Sequence, residues 1–399
     1  MSRPTSPPPT PPADATEVRR TLIAVIIARL GINASQRVVF PFLPAIARGL
    51  DTSLSTVANL TALTSVVGLL APLAAALGAR FGRRAVMLGA LAATLLGAVV
   101  LGTAGSVAIA AIGFALIGLG KPGFDVPMQA WFGDRVPYAR RGRILGATEL
   151  TWAGGLLVSV PISGYLIART SWRSQFAVVA ILIVIGLVAV IALMPSDRPS
   201  QRGRVARPPL TRPQVAMLAV VLLFSFAAQG LFVVYGAWLE ADLDLAVTAI
   251  GLFTLVVVAS ELAGEGSVTA FGDRVGLRRA VRGALLGSAV AYGMLGLVGG
   301  SLAGAIAVVV LWFVCYEITI VSSIPLVTEL GGIGRDRLMG LMVVVVALAR
   351  TAGAVIVPRV FEAGGIAAAG LLAAACVLVA ALVLTLLVPD PADTVPAAG

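Results

Sequence analysis

Three ionisable side chains lie inside long apolar runs of this chain and could carry a proton or a charged ligand. Lys121 and Asp125 stand four residues apart, which puts them on one face of a helix. Glu317 lies near the middle of a later apolar run. Inside a bilayer a charge costs about 2.5–3.5 kcal/mol on insertion scales, so it usually faces a cavity or a partner. One interpretation is that these groups couple proton movement to transport or contact a substrate. The other is that Lys121 and Asp125 merely neutralise each other.

An internal repeat relates these groups to one another. The basic loop at residues 79–86 repeats at 273–281, and a second pair of loops keeps the same offset of 194 residues. Two repeats in one register indicate duplicated halves, an arrangement common in secondary transporters. Subtracting the offset from Glu317 gives a position inside the Lys121–Asp125 pair. Glu317 is therefore expected at the depth of that pair, in the other half.

Carboxylates are the groups that can hold and release a proton in such a chain. Burial favours their neutral form and a nearby cation favours their charged form, so a small rearrangement can switch them. The proton-coupling candidates are Asp125, Glu317 and Glu149. A second interpretation concerns charged residues at the seam between the halves, where they could favour one access state. These residues are Glu149, Glu261 and Glu265 in the inner parts of their spans, and Arg350 in the middle of its span.

Polar and aromatic side chains on two further runs are candidates for a substrate cavity. Arg29, Asn33 and Arg37 step by four, so they form one stripe on a helix. This stripe could hold an anionic or hydroxylated substrate, or its arginines could pair with carboxylates on neighbouring helices. Aromatic rings beside Glu317 suit a cation or simply pack between helices. The substrate-cavity candidates are Arg29, Asn33, Arg37, Lys121, Trp312 and Tyr316.

The composition requires a bilayer around the elements that position these groups. The chain is 59% hydrophobic and 12% charged, with a mean hydropathy of +1.00. A soluble domain carries about twice that charge, so an all-α integral membrane protein is predicted. Twelve transmembrane helices are expected at residues 21–47, 55–79, 84–104, 106–132, 142–168, 174–194, 213–239, 246–271, 279–299, 301–328, 337–358 and 364–388.

These spans predict two six-helix bundles joined by a basic linker. The predicted divisions are a disordered tail at 1–20, bundles at 21–194 and 213–388, a linker at 195–212 and a second tail at 389–399. With the N-terminus inside, inner segments would hold 21 basic residues and outer loops four, so both termini are expected in the cytoplasm. The expected location is the inner (plasma) membrane of the cell. The net charge of +10 follows the same topology and does not indicate nucleic-acid binding.

Twelve spans with these loops resemble the major facilitator superfamily. The resemblance covers about residues 20–390 and implies that spans one, four, seven and ten line a central cavity. It also implies that the inner loops latch one access state, although Ala79 stands where the family's first loop usually has an acid. The residues that would form these gating loops are Arg80, Gly82, Arg83, Arg84, Asp134, Arg143, Asp273, Arg274, Gly276 and Arg278.

The function expected on these grounds is secondary active transport by alternating access. The leading hypothesis is proton-coupled export of a hydrophobic or amphipathic small molecule, such as a drug or metabolite. The alternative is proton-coupled uptake or exchange of a small organic anion, and a membrane enzyme or non-transporting receptor is a remote third. The expected partners are the substrate, protons and the lipid bilayer, with the chain acting as a monomer. No enzymatic activity, cofactor, metal site or nucleic-acid partner is expected, because the sequence carries no phosphate-binding loop, nucleophile elbow or histidine.

Overall fold

The computed structural model describes residues 14–197 and 209–389. Residues 1–13 of the predicted tail at 1–20, residues 390–399 of the second tail and residues 198–208 of the predicted linker lie outside the described residues. The described part of the first tail differs from the prediction, because the first helix already begins at Ala15. Three of the expected gating residues, Arg143, Asp273 and Arg274, lie in helices, and their side chains are outside the described part. Every regular element in the described ranges is a helix.

Eleven helices in these ranges are long and apolar enough to cross a membrane. The last of them bends at Gly364 and Gly365, and Gly365 has a φ of 65°, a left-handed conformation that favours glycine. This helix therefore supplies the eleventh and twelfth spans, and the predicted twelve-helix architecture is confirmed. The spans are Ala15–Gly49, Leu54–Phe81, Arg83–Thr103, Val107–Arg135, Gly146–Arg169, Ser174–Leu193, Arg212–Leu243, Val247–Val268, Leu277–Leu297, Leu302–Gly331 and the bent Arg337–Leu387.

The two halves repeat each other in detail at their inner loops. Arg84 donates a hydrogen bond to the carbonyl oxygen of Ile191 at 2.7 Å. Arg278 donates one to the carbonyl oxygen of Thr385 at 2.8 Å. Donor and acceptor of this second bond each lie 194 residues after those of the first. The glycines that precede these arginines by two residues have φ values of 90° and 82°. The structure thus confirms the duplication that the loop repeat predicts.

The first and seventh spans pack closely against each other in their outer parts. A Cβ atom on Gly236 would lie 2.3 Å from the carbonyl oxygen of Pro41, so only glycine allows this approach. The outer surface is apolar instead, with side chains such as Ile181, Val188 and Leu386 well exposed. An apolar exterior around a packed interior is the arrangement that a lipid solvent favours.

Polar contacts tie the two halves together on the outer side. Arg48 pairs with Glu240 at 2.5 Å, and the backbone nitrogen of Ser55 donates to Glu362 at 2.8 Å. Arg359 donates to Asn59 at 3.3 Å in the same region. Nearby, the fifth and eighth spans touch where Gly164 meets Gly251. These contacts close the outer side of the seam.

Single cysteines introduced into a variant lacking the two native cysteines should report this topology. A cysteine at Leu297, which is 83% exposed at the end of the ninth span, should react with a membrane-impermeant maleimide in intact cells. A cysteine at Pro137, exposed in the loop after the fourth span, should react only in inverted vesicles. Labelling on the opposite side at either position would contradict the assigned orientation.

Candidate functional site

A small cavity of about 60 Å³ lies between the two halves, lined by residues from the middle of several spans. The first, second, fourth, fifth, seventh, tenth and eleventh spans all contribute to its wall. Its lining combines aromatic rings, two amides and three cations, and none of the described lining residues is a carboxylate. The lining residues are Gln36, Arg37, Phe40, Thr64, Ser65, Lys121, Trp152, Ala228, Gln229, Phe232, Trp312, Phe313, Tyr316 and Arg350.

Behind the cavity wall, Asp125 joins two cations of the first half. Its carboxylate accepts hydrogen bonds from Lys121 Nζ at 2.8 Å and from Arg29 Nε at 3.0 Å. Arg29 also pairs with Glu149 at 3.0 Å. Glu149 is 56% exposed, whereas Arg29 is buried, so Glu149 is the end of this network that solvent reaches. The predicted pairing of Lys121 with Asp125 is present, and Arg29 extends it.

Asn33 fixes the position of the lysine. Its side-chain oxygen accepts a hydrogen bond from Lys121 Nζ at 3.2 Å, and its amide nitrogen donates to the Thr151 hydroxyl at 3.0 Å. Asn33 is fully buried and does not line the cavity itself. It acts here through the lysine, which does line the cavity.

Arg37 crosses from the first half to the second. It makes a two-pronged ion pair with Glu261 on the eighth span, and both side chains are buried. A planar guanidinium suits this geometry, because its parallel N–H groups match a carboxylate. Of the two interpretations of the polar stripe, pairing with carboxylates on neighbouring helices is therefore what the structure shows for Arg29 and Arg37.

Trp152 is surrounded by all three cations of the cavity. Its ring centroid lies 4.4 Å from the Arg37 guanidinium, 4.8 Å from Lys121 Nζ and 5.7 Å from the Arg350 guanidinium. Sequence reasoning does not assign Trp152 a role and places Arg350 at the seam. The available signal is that both residues are unusual in the middle of a span.

Glu317 lies behind the opposite wall of the cavity. It is 3% exposed, and its Oε1 atom has no hydrogen-bond partner among the described residues. Gly264 on the eighth span packs directly against it, and it interacts electrostatically with Glu261 and Arg37. Trp312 and Tyr316, on the same span, do line the cavity. Of the three charges expected to share one space, only Lys121 lines it.

The inner loops of the first half are tied to their own bundle. Arg83 pairs with Asp134 at the end of the fourth span. The Asp197 carboxylate accepts hydrogen bonds from the backbone nitrogens of Arg83 and Arg84 at 2.9 and 3.0 Å. Asp197 is a residue that sequence reasoning does not single out. Its carboxylate provides an acidic group to this loop, in which Ala79 occupies the position where the family usually has an acid. Arg80 instead lies over the Phe81 ring, at 5.1 Å from its centroid.

Comparisons with known proteins agree with one another. The sequence profile of the Major Facilitator Superfamily matches residues 21–332. The chain is 25% identical over 363 residues to YwfA, an uncharacterized MFS-type transporter of Bacillus subtilis, and the match covers 87% of each. It is 25% identical over 264 residues to the purine ribonucleoside efflux pump NepI of Salmonella paratyphi C, which covers 63% of this chain and 64% of that relative.

Two solved structures share the fold. The D-xylose-proton symporter superposes with a TM-score of 0.75 at 16% identity, covering 94% of this chain and 98% of that one. The human organic anion transporter MFSD10 superposes with a TM-score of 0.68 at 19% identity, covering 92% and 99%. At these identities the likeness concerns the fold alone.

Proposed function

Since this chain belongs to the Major Facilitator Superfamily, we propose that it exports a small amphipathic molecule by alternating access, coupled to protons. The observation that carries the proposal is the cavity between the halves, with ion-paired carboxylates directly behind its walls. Cavity rings such as Trp152, Phe232 and Trp312 suit a partly apolar substrate. The protein would act in this way as a monomer in the plasma membrane, without enzymatic chemistry.

The closed outer seam supports alternating access as the mechanism. Contacts between the halves such as Arg48–Glu240 hold the outer side together. Glu149, by contrast, is exposed to solvent at the inner end of the network. In the proposed cycle the cavity loads from the inner side, the seam opens outward, and the inner loops reset the state through residues such as Arg83 and Asp134.

Proton coupling is proposed for Asp125, Glu317 and Glu149. Asp125 is the carboxylate in direct contact with a cavity cation, because one of its oxygen atoms accepts from Lys121 and the other from Arg29. Glu317 has an unpartnered oxygen in a buried setting, where the neutral carboxyl group costs less than the carboxylate. Glu149 offers a solvent-exposed route for a proton from the inner side. Export as the direction is supported by the similarity to a purine ribonucleoside efflux pump.

Uptake or exchange of a small organic anion is the second candidate function. The favouring observation is the sign of the cavity lining, whose described charged residues are Arg37, Lys121 and Arg350. Both candidates place the substrate in the same cavity and couple it to a proton. They differ in the direction of transport and in the charge of the substrate.

Proton movement in inverted vesicles tests the proposed function. Vesicles are energised and carry a pH-sensitive dye, and a panel of lipophilic cations, neutral aromatics and organic anions is added in turn. Proton release on adding an outward-pumped compound is the expected result for an antiporter. Vesicles with the same amount of a Glu317→Gln variant serve as the control, and an identical response from both would remove Glu317 from the coupling mechanism.

A further inference from the structure

Arg350 differs from the other two cavity cations in its charge partners. Arg37 has Glu261 as its partner, and Lys121 has Asp125. Within the described residues no carboxylate forms an ion pair with Arg350. Its charge acts electrostatically on the buried Glu317 and on Tyr316, and its guanidinium lies 5.7 Å from the Trp152 ring centroid. A charge at this depth is normally neutralised by a close partner, so Arg350 is the cavity cation best placed to pair with a negative group of a ligand.

The side chains around Arg350 indicate what the remainder of such a ligand is made of. Trp152, Phe232, Trp312 and Phe313 form an aromatic wall around the same space. The Phe232 ring meets Phe313 edge-on at 5.7 Å, so the wall is built from packed rings. Rings of this kind bind flat apolar bodies through offset or edge-on contacts. A ligand that satisfies both features has an aromatic body and a negative group.

We propose that the substrate of this cavity is an aromatic anion, whose negative group binds Arg350 and Lys121 and whose ring packs beside Trp152. The inference rests on the second candidate function, the uptake or exchange of an organic anion, and on the cavity that both candidate functions share. Arg350 belongs to the eleventh span and Lys121 to the fourth, so the negative group bridges the two halves. A ligand that touches both halves is one whose binding can bias their relative movement.

The charge of the ligand also determines how it is coupled to the proton. Protonation of Asp125 or Glu317 removes a negative charge from behind the cavity wall and leaves its cations less compensated. A proton and an anion therefore strengthen each other's binding, and this coupling is reciprocal. An aromatic anion consequently moves in the same direction as the proton, which is the second of the two candidate functions.

Three naphthalene probes that carry a negative, a neutral or a positive polar group test the inference. Naphthalene-2-carboxylate, naphthalene-2-methanol and naphthalene-2-methylammonium are titrated into the purified full chain in detergent, with binding followed by calorimetry. We expect the carboxylate to bind most tightly. Arg350→Gln should weaken its binding by about tenfold to hundredfold, while the alcohol changes little. Arg350→Lys, which keeps the charge, should recover part of the loss.

A matched control separates this site from a general effect of losing a cation. Arg169 lies over the Tyr165 ring at 4.4 Å, outside the cavity, so Arg169→Gln removes a similar pair without altering carboxylate binding. Three results would each overturn the inference: the alcohol or the amine binds more tightly than the carboxylate, the carboxylate does not bind, or Arg350→Gln and Arg169→Gln weaken carboxylate binding equally. The proposed transport function fails separately, if the purified protein in vesicles moves no compound of either charge.

Discussion

Asp125→Asn should abolish uphill accumulation of substrate while leaving downhill movement measurable. Asparagine keeps the size of the side chain and one oxygen atom for Lys121 and Arg29, but it cannot take up or release a proton. The carrier can then still bind substrate and change its access, without coupling to the proton gradient. Reconstituted vesicles provide both readings, because accumulation requires an imposed gradient and exchange of labelled for unlabelled substrate does not.

The comparison that gives this result its meaning is Asp134→Asn. Asp134 also lies on the fourth span and pairs with an arginine, Arg83. It stands at the inner end of that span, away from the cavity. Its loss should change the rate of transport at most and leave the number of protons per substrate unaltered. Full coupling in Asp125→Asn would remove Asp125 from the mechanism. Loss of exchange as well as accumulation would assign Asp125 a structural role.

Local features of the sequence predict the elements and the pairs that lie within one element. The apolar runs and basic loops define the spans, because both follow directly from the cost of placing polar groups in lipid. The Lys121–Asp125 pair lies four residues apart on one helix, so its contact follows from helical geometry. The offset of 194 residues likewise predicts that Arg84 and Arg278 occupy equivalent places, and the two matching carbonyl contacts agree.

Contacts between spans are less accessible to sequence reasoning. Arg29 and Asp125 are 96 residues apart, and Arg37 and Glu261 are 224 residues apart. Which carboxylate faces which arginine depends on the rotation of each helix about its axis. A helix that is apolar on nearly every side gives no stripe from which that rotation can be read. Arg350 illustrates the difficulty, because the seam and the cavity lie on adjoining faces of the eleventh span.

The ion pair between Arg37 and Glu261 should be the most consequential single pair for stability. Both partners are buried, so removing one leaves an uncompensated charge in a medium of low dielectric constant, at a cost of about 3–5 kcal/mol. Glu261→Gln is therefore expected to lower the melting temperature of the detergent-solubilised protein strongly. Glu240→Gln removes an exposed pair with Arg48 and should cost at most about 1 kcal/mol.

A double variant separates the value of the pair from the cost of breaking it. If the charges mainly compensate each other, Arg37→Met combined with Glu261→Met should recover much of the stability that either single change loses, since apolar side chains of similar volume carry no desolvation cost. The same variant should lose transport, because Arg37 joins the first half to the eighth span beside the cavity. A melting temperature for Glu261→Gln equal to that for Glu240→Gln would contradict this account. Full transport by the double variant would show that this link between the halves is not part of the cycle.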